Sequence, residues 1–213
     1  MESVCISLSR FFFLLKDSQS DENMHENQLI EAICEGDERA FSQLIDQYRP
    51  MVIRITYRIV QDMDDTEDLV QEVFLKIWQT IGTFKGESSL KTWIYRLAVN
   101  KALNFLKWKK IRTFILRQEP LNDKTKNDKN YMRSPEALKH FQQKEDASAI
   151  EKALSHLPSN QRAVFSLSKA EGLSNPEIAT ILNINVGAVE SLIFRAKKSL
   201  QIHLSTYYKT TLS

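Results

Sequence analysis

The sequence is poor in the residues that interrupt helices and in those that hold metals. Its 213 residues include five glycines, five prolines, two cysteines and four histidines. Because glycine and proline are unfavourable inside helices, their scarcity favours an all-α fold. Cys5 and Cys34 lack the spacing of a disulfide framework or a zinc site, and the histidines are scattered along the chain. We therefore predict a reducing compartment, no metal and no cofactor.

Signals of catalysis and of membrane insertion are also missing. There is no glycine-rich phosphate loop and no recognisable setting for a nucleophile. The carboxylates of residues 62–68 are the strongest catalytic candidates, but acids at a helix start stabilise the helix dipole without any catalytic role. The apolar run 11–15 is too short to span a bilayer. We predict a cytoplasmic protein that is not an enzyme, takes no small-molecule substrate and is not inserted in a membrane.

Patterns along the chain predict two helical domains. Residues 24–111 and 148–213 both carry apolar positions at helical spacing. Between them, residues 112–147 lose this periodicity and include the polar stretch "LNDKTKNDKN", which predicts a flexible linker. Residues 1–23 precede Met24 and are predicted to be a disordered extension, or to lie upstream of the start codon used in the cell. The intact mass of the native protein distinguishes these two versions.

Local signals predict where the first helices begin and end. Gly36 is a natural helix stop, and Asp37 is a natural N-cap for the helix that follows. Pro50 is expected to end that helix or to restart it, because proline removes a backbone donor and clashes with the preceding turn.

Positive and negative charges are segregated within the first domain. Six acids and no base lie between residues 61 and 75, whereas eight bases and no acid lie between residues 88 and 118. The split favours two different partners for two faces of this domain. The alternative is a solvated acidic turn beside a basic surface helix.

The basic segment combines cations with aromatic rings. On a helix, Arg96, Asn100 and Lys107 fall in one narrow polar row opposite an apolar face. Cations bind phosphates, rings stack on unpaired bases, and an asparagine can both donate to and accept from a base edge. The row therefore suits single-stranded or melted nucleic acid. The alternative is that its rings are core residues: Trp93, Tyr95 and Trp108.

The stretch "PEIATILNINVGAVESLIFRAKKSL" in the second domain matches a helix-turn-helix pattern. Ser174 and Glu177 form a capping box for its first helix. Asn183 stands at the turn, where a left-handed backbone is needed, and Asn185 is the N-cap of the second helix. Such a pair of helices reads DNA in the major groove, although a helical hairpin that serves packing alone shares the pattern.

Three segments together resemble a known family: "DDTEDLVQEVFLKIW", "FKGESSLKTWIYRLAVNKALNFL" and "LPSNQRAVFSLSKAEGLSNPEIATILNINVGAVESLIFRAKKSL". In this order they resemble the sigma-70 family of RNA polymerase sigma factors, in its small extracytoplasmic-function (ECF) group, over residues 26–110 and 148–203. The resemblance implies a region 2 helical bundle and a region 4 helix-turn-helix joined by a flexible linker. It also implies that the chain binds RNA polymerase core, recognises −10 and −35 promoter elements and aids melting. The alternative is a helix-turn-helix regulator that acts independently of polymerase.

The resemblance implies three sets of contact residues. The set for the −10 element is Lys91, Trp93, Tyr95, Arg96, Asn100, Lys101 and Lys107. The set for the −35 element is Ala188, Glu190, Ser191, Phe194, Arg195, Lys197 and Lys198. The set for the β′ clamp helices of polymerase is Asp65, Asp68, Leu69, Gln71, Glu72, Phe74, Leu75 and Trp78. The β flap of polymerase, promoter DNA and an anti-sigma factor are the further partners that the family implies.

Glu190 departs from the family pattern, in which a basic residue is frequent at this position. A basic residue is also frequent in the family where this chain has Leu192, and the two lost cations predict weaker phosphate contact. A glutamate can also accept a hydrogen bond from cytosine N4, which predicts an altered base preference instead. Both interpretations stay open on the sequence.

Overall fold

The computed structural model describes residues 26–116 and 149–211. The predicted extension 1–23 and residues 117–147 of the predicted linker lie outside these ranges. Within them the regular elements are all helical, which confirms the predicted fold class. The elements in chain order are α1 (26–34), α2 (Glu38–Val60), α3 (Met63–Thr80), a 3-10 turn (Ile81–Thr83), α4 (Leu90–Leu116), α5 (149–155), α6 (Ser159–Lys169), α7 (Asn175–Leu182) and α8 (Val186–Thr211).

Helix α2 begins where predicted but does not end at Pro50. The carboxylate of Asp37 caps it, accepting hydrogen bonds from two backbone N–H groups of the first turn at 2.8 and 3.3 Å. The prediction that Pro50 ends or restarts the helix is wrong, because α2 continues through it without a break. Met51 and Val52, directly after the proline, are 7% and 0% exposed. Their burial compensates for the backbone hydrogen bond that proline removes.

Helix α4 is longer than the sequence pattern indicates. It begins after Ser89, whose hydroxyl accepts a hydrogen bond from the backbone N–H of Thr92 at 3.1 Å, and it ends at Leu116. The predicted boundary between first domain and linker, at residues 111 and 112, therefore lies inside this helix. The side chains of its last turns have little cover, since Phe114 is 66% exposed and Ile115 is 60% exposed.

The two bundles of helices pack against each other. Helices α2, α3 and α4 form the first bundle and α6, α7 and α8 the second, with α2 packed on α6 and α4 packed on both α6 and α7. Buried residues of both bundles belong to one continuous core, among them Ile55, Val99, Leu167 and Ile178. This contact between the bundles was not predicted from the sequence.

The turn between α7 and α8 has the predicted geometry. Asn183 ends α7 with φ of 53°, in the left-handed region. The chain bends there by 102° between α7 and residues 186–205, within the range of a helix-turn-helix. No single helix of the described residues is long and apolar enough to span a membrane. Among these residues, only the bent pair of α7 and residues 186–205 has the length and composition of a membrane span.

Candidate nucleic-acid and polymerase interfaces

The polar row predicted on α4 is exposed. Arg96, Asn100 and Lys107 all present their side chains to solvent, as do Lys91 and Lys101. The opposite face of the same helix lies in the core. The row can therefore reach phosphates and base edges while the helix stays folded.

The three aromatic residues predicted beside this row have different environments. Tyr95 is 1% exposed, and its hydroxyl donates a hydrogen bond to Glu171 Oε2 at 2.7 Å. Burial raises the pKa of the Tyr95 hydroxyl, so it remains a donor at neutral pH. Trp93 is half-buried against Phe84, with ring centroids 5.7 Å apart, and Trp108 is 69% exposed. In this arrangement Tyr95 is a core residue, because its ring has no free face, and its contact with the −10 element stays a prediction.

Helix α3 presents only part of its predicted polymerase surface. The members that reach solvent are Asp65, Asp68, Gln71, Glu72, Leu75 and Trp78. Leu75 is 58% exposed and Trp78 is 37% exposed, which provides apolar contact area among the acids. Leu69 and Phe74 are 3% and 6% exposed. Both lie on the core-facing side of the helix and pack in the bundle, and their contact with polymerase stays a prediction.

Two ion pairs join the acidic helix α3 to the basic helix α4. Lys109 Nζ lies 2.5 Å from Asp65 Oδ2, and Lys101 pairs with Glu72. The side chains are partly exposed, so each pair contributes at most about 1 kcal/mol. The charge split in the sequence therefore does not produce two independent faces, since α3 neutralises part of the basic face of α4.

Helices α7 and α8 form the predicted helix-turn-helix. The hydroxyl and the backbone N–H of Ser174 both donate to Glu177 Oε2, at 2.6 and 2.8 Å, and these bonds lower the pKa of the carboxyl group. Asn185 Oδ1 caps α8 by accepting a hydrogen bond from the Ala188 N–H at 2.7 Å. Ala188 itself is half-buried. The predicted reading residues that α8 exposes are Glu190, Ser191, Phe194, Arg195, Lys197 and Lys198.

The charges of the α8 surface are less constrained than those of α4. Among the described residues, Arg195, Lys197 and Lys198 form no salt bridge with a carboxylate. Arg195 Nε donates only to the backbone oxygen of Ser191, at 3.2 Å. Phe194 is 69% exposed beside it. This combination of unpaired cations and an exposed ring is typical of a nucleic-acid-binding surface.

The sequence analysis missed the residues that tie the two bundles together. Glu171, between α6 and α7, accepts hydrogen bonds from Arg54, Arg58 and Tyr95. Glu171 and Arg54 are 117 positions apart. No local pattern links positions so distant, so propensity and periodicity carry no signal of this contact.

Family models match both bundles. The family described as Sigma-70 region 2 matches residues 44–111, and the family described as Sigma-70, region 4 matches residues 147–200. The first match covers most of α2 to α4, and the second covers α5 to α8. The order of the two matches is the order that the sequence motifs predict.

Two solved structures have a similar fold. The sigma factor RpoE of Bartonella quintana, in complex with the anti-sigma factor NepR, has a TM-score of 0.58 at 23% identity and covers 78% of this chain and 96% of its own. CnrH, in complex with the cytosolic domain of CnrY, has a TM-score of 0.55 at 22% identity and covers 84% of this chain and 96% of its own. At these identities the likeness concerns the fold alone.

Curated relatives align along most of the chain. The RNA polymerase sigma-H factor of Pseudomonas aeruginosa is 33% identical over 182 residues, which are 82% of this chain and 91% of the relative. The ECF RNA polymerase sigma-E factor of Escherichia coli (strain K12) is 32% identical over 186 residues, which are 84% of this chain and 94% of the relative. With both regions matched in order, the chain belongs to the sigma-70 family as a sigma factor of the ECF group, a non-enzymatic factor that directs promoter-specific initiation by RNA polymerase.

Proposed function

We propose that this sigma factor uses three of its described surfaces for three separate contacts. The exposed row of α4 binds the melted −10 element, the exposed row of α8 binds the −35 element as a duplex, and the exposed part of α3 binds the β′ clamp helices of polymerase. The observation that carries this proposal is the exposure of Arg96, Asn100 and Lys107 as one row on a helix whose other face is buried.

The α4 row has the chemistry needed to hold a base outside the duplex. Arg96 and Lys107 supply charge for phosphates, and the Asn100 amide can donate to and accept from one base edge. Unstacking a base costs a few kcal/mol, and stacking on an aromatic side chain returns about 1 to 3 kcal/mol per base. Trp93, which is half-buried at the start of the helix, is the ring best placed to stack.

The α8 row has the chemistry needed to read a duplex. A helix-turn-helix lays the N-terminal part of its second helix in the major groove, where side chains reach base edges. Ser191 and Arg195 can hydrogen-bond to bases, and Phe194 can contact a thymine methyl group. Lys197 and Lys198 are exposed further along the helix, where phosphates flank the groove.

The α3 surface combines acids with apolar area, which suits a basic or amphipathic helical partner. Asp68 and Glu72 supply negative charge, and Leu75 with Trp78 supplies exposed apolar contact. We assign this surface to the β′ clamp helices and assign region 4 a further contact with the β flap. An anti-sigma factor is the regulatory partner that family membership favours. Homologous sigma factors act on cytoplasmic polymerase, so we place the chain in the cytoplasm.

Run-off transcription with purified polymerase core on genomic fragments tests the proposed function. We expect specific transcripts only when chain and core are both present, and permanganate-reactive thymines near −10 in the same complexes. Sequencing of the transcript starts would then reveal the promoter consensus. Specific DNA binding by the chain without core, and without reactive thymines, would instead favour a regulator that acts independently of polymerase.

A further inference from the structure

A carboxylate from the second bundle is fully enclosed by donors from the first. Arg54 donates from Nε to Glu171 Oε1 at 2.8 Å and from Nη2 to Oε2 at 2.7 Å. Arg58 Nη1 donates to Oε1 at 2.8 Å, and the Tyr95 hydroxyl donates to Oε2 at 2.7 Å. Four hydrogen bonds saturate the acceptor capacity of a carboxylate. Every one of these side-chain donors belongs to α2 or α4.

The burial of this cluster is uneven. The Glu171 side chain is 3% exposed, whereas those of Arg54 and Arg58 are 46% and 33% exposed. The hydrogen bonds from Arg54 are the main cause that holds the pKa of Glu171 below its ordinary value, so the carboxylate stays ionised at neutral pH. When the bundles separate, water can hydrate all the charges again. In the closed arrangement, loss of the carboxylate would leave Arg54 and Arg58 beside each other without a counter-charge, so the cluster favours this geometry only while Glu171 is present.

A second polar contact and the shared core support the same closed arrangement. Gln61 directly follows the end of α2, and its Oε1 accepts a hydrogen bond from Nη1 of Arg162 on α6 at 2.5 Å. Gln61 Nε2 in turn donates to the backbone oxygen of Glu151 at 3.1 Å. Burial lowers the pKa of Arg162, and its Nε has no partner among the described residues. Because one buried donor is left without a partner, breaking this contact costs less free energy than breaking a fully satisfied one.

The closed arrangement brings the two proposed reading helices too close together. Helix α7 packs on both α4 and α8. Packed helices lie about 8 to 10 Å apart, so the axes of α4 and α8 near α7 are separated by no more than about 20 Å. Elements named −10 and −35 are about 25 base pairs apart, which is about 85 Å along B-form DNA at 3.4 Å per base pair. The closed chain cannot occupy both elements at once.

We propose that Glu171 is an interdomain latch: its carboxylate holds region 4 against region 2 in a closed arrangement, and promoter engagement requires that it leave Arg54, Arg58 and Tyr95. This inference rests on the proposed function, because it uses the assignment of α4 and α8 to the two elements. Opening also frees the Tyr95 hydroxyl and exposes two arginines without a counter-charge. These cations then become available to nucleic acid.

The distance between the bundles in the full chain tests the latch. Donor and acceptor dyes are attached at Gln43→Cys and Gln201→Cys, two exposed positions on α2 and α8, in a Cys5→Ser and Cys34→Ser background. In the free protein we expect Glu171→Gln to raise the ratio of open to closed molecules at least about tenfold, because it removes charge-assisted hydrogen bonds. Glu35→Gln makes the same charge change at an exposed position of the first bundle and should leave the ratio unchanged.

The swapped pair Arg54→Glu with Glu171→Arg should return part of the population to the closed distance. A Glu171→Gln protein with unaltered helical circular dichroism and the wild-type distance would overturn the latch.

The wild-type chain offers a test that needs no variant at the latch. In a complex with core and promoter that has reactive thymines, it must show the open distance, and retention of the closed distance would overturn the proposal. Failure of the undyed wild-type chain to bind core would instead defeat the proposed function.

Discussion

The cationic surfaces on α4 and α8 differ in how their charge is balanced. On α4, Lys101 and Lys109 are paired with acids of α3, whereas the cations of α8 form no salt bridge among the described residues. A cation that already has a protein partner gains less from a phosphate, because the first pair must be broken or shared. Arg96 and Lys107 of the α4 row form no salt bridge among the described residues, so the difference concerns the edge of the α4 surface that faces α3 and not the row itself.

Among variants of the two surfaces, Asn100→Ala on α4 is expected to have the largest effect, which is on the rate of open-complex formation. The amide can donate and accept at one base edge, which the neighbouring cations cannot do. Loss of such a base contact costs about 1 to 3 kcal/mol, so the rate of open-complex formation should fall about 5- to 150-fold. Permanganate reactivity of holoenzyme on its cognate promoter measures this rate.

Asn104→Ala is the matched control for that variant. Asn104 lies one turn further along α4, beside the proposed row, and lines the groove toward α3. It should change the rate less than about twofold, as expected for a surface substitution without a partner. Equal defects in the two variants would contradict the assignment of Asn100 as a base contact.

A smaller effect is expected for Arg195→Ala on α8. The change removes one unpaired cation, so affinity for a −35 duplex should fall about 5- to 10-fold and the salt dependence should weaken by about one counterion. Titration of holoenzyme against duplex at several salt concentrations measures both. Gln201→Ala, exposed further along α8, should change neither. On a template with a pre-melted bubble and no −35 element, Arg195→Ala should transcribe normally.

The next variant is Glu190→Lys, which replaces the glutamate that departs from the family pattern. It separates the two interpretations of that glutamate, weaker phosphate contact and altered base preference. Glu190 is the fifth residue of α8, in the part of the helix that contacts base edges. We therefore expect an altered base preference at one position of the −35 element, with a change of a few fold on each promoter. Transcription from a library of −35 variants measures it. A uniform gain on every promoter would favour the weak-contact interpretation instead.

The smallest effect is expected for Glu72→Gln, which breaks one ion pair between α3 and α4. The released Lys101 should raise non-specific affinity for single-stranded DNA about twofold and steepen its salt dependence by about one counterion. Stability should change by less than about 1 kcal/mol. Glu67→Gln, an exposed acid of the same helix, is the control, and an equal gain there would show that net charge alone is responsible.

Local features of this fold were predictable because they depend on a few neighbouring residues. The Asp37 cap, the capping bond from Ser174 to Glu177 and the left-handed Asn183 all follow from side-chain chemistry within one turn. The continuation of α2 through Pro50 was not predictable in this way. Burial on both sides of a proline is a tertiary effect that overrides local propensity.

The site was predictable in its outline and not in its detail. Helical spacing correctly identified Asn100 as an exposed residue, because periodicity alone decides which side of a helix faces the core. On α3 the same spacing places Leu69 and Phe74 on the apolar stripe and Leu75 outside it, in agreement with their burial. The polymerase contact set joined all three because it was taken from the family resemblance, which does not consider burial in this chain. The contact of Glu171 depends on a partner 117 positions away and leaves no trace in local pattern.

The intrinsic tryptophan fluorescence of this chain reports on only one of its two bundles. All three lie between residues 78 and 108, in the first bundle, and none lies in the second. Trp93 is half-buried, whereas Trp108 is 69% exposed and should dominate the long-wavelength edge of the ultraviolet emission. A base stacked on Trp93 would quench part of the native fluorescence without any added label, while a ligand confined to α8 would leave the spectrum unchanged.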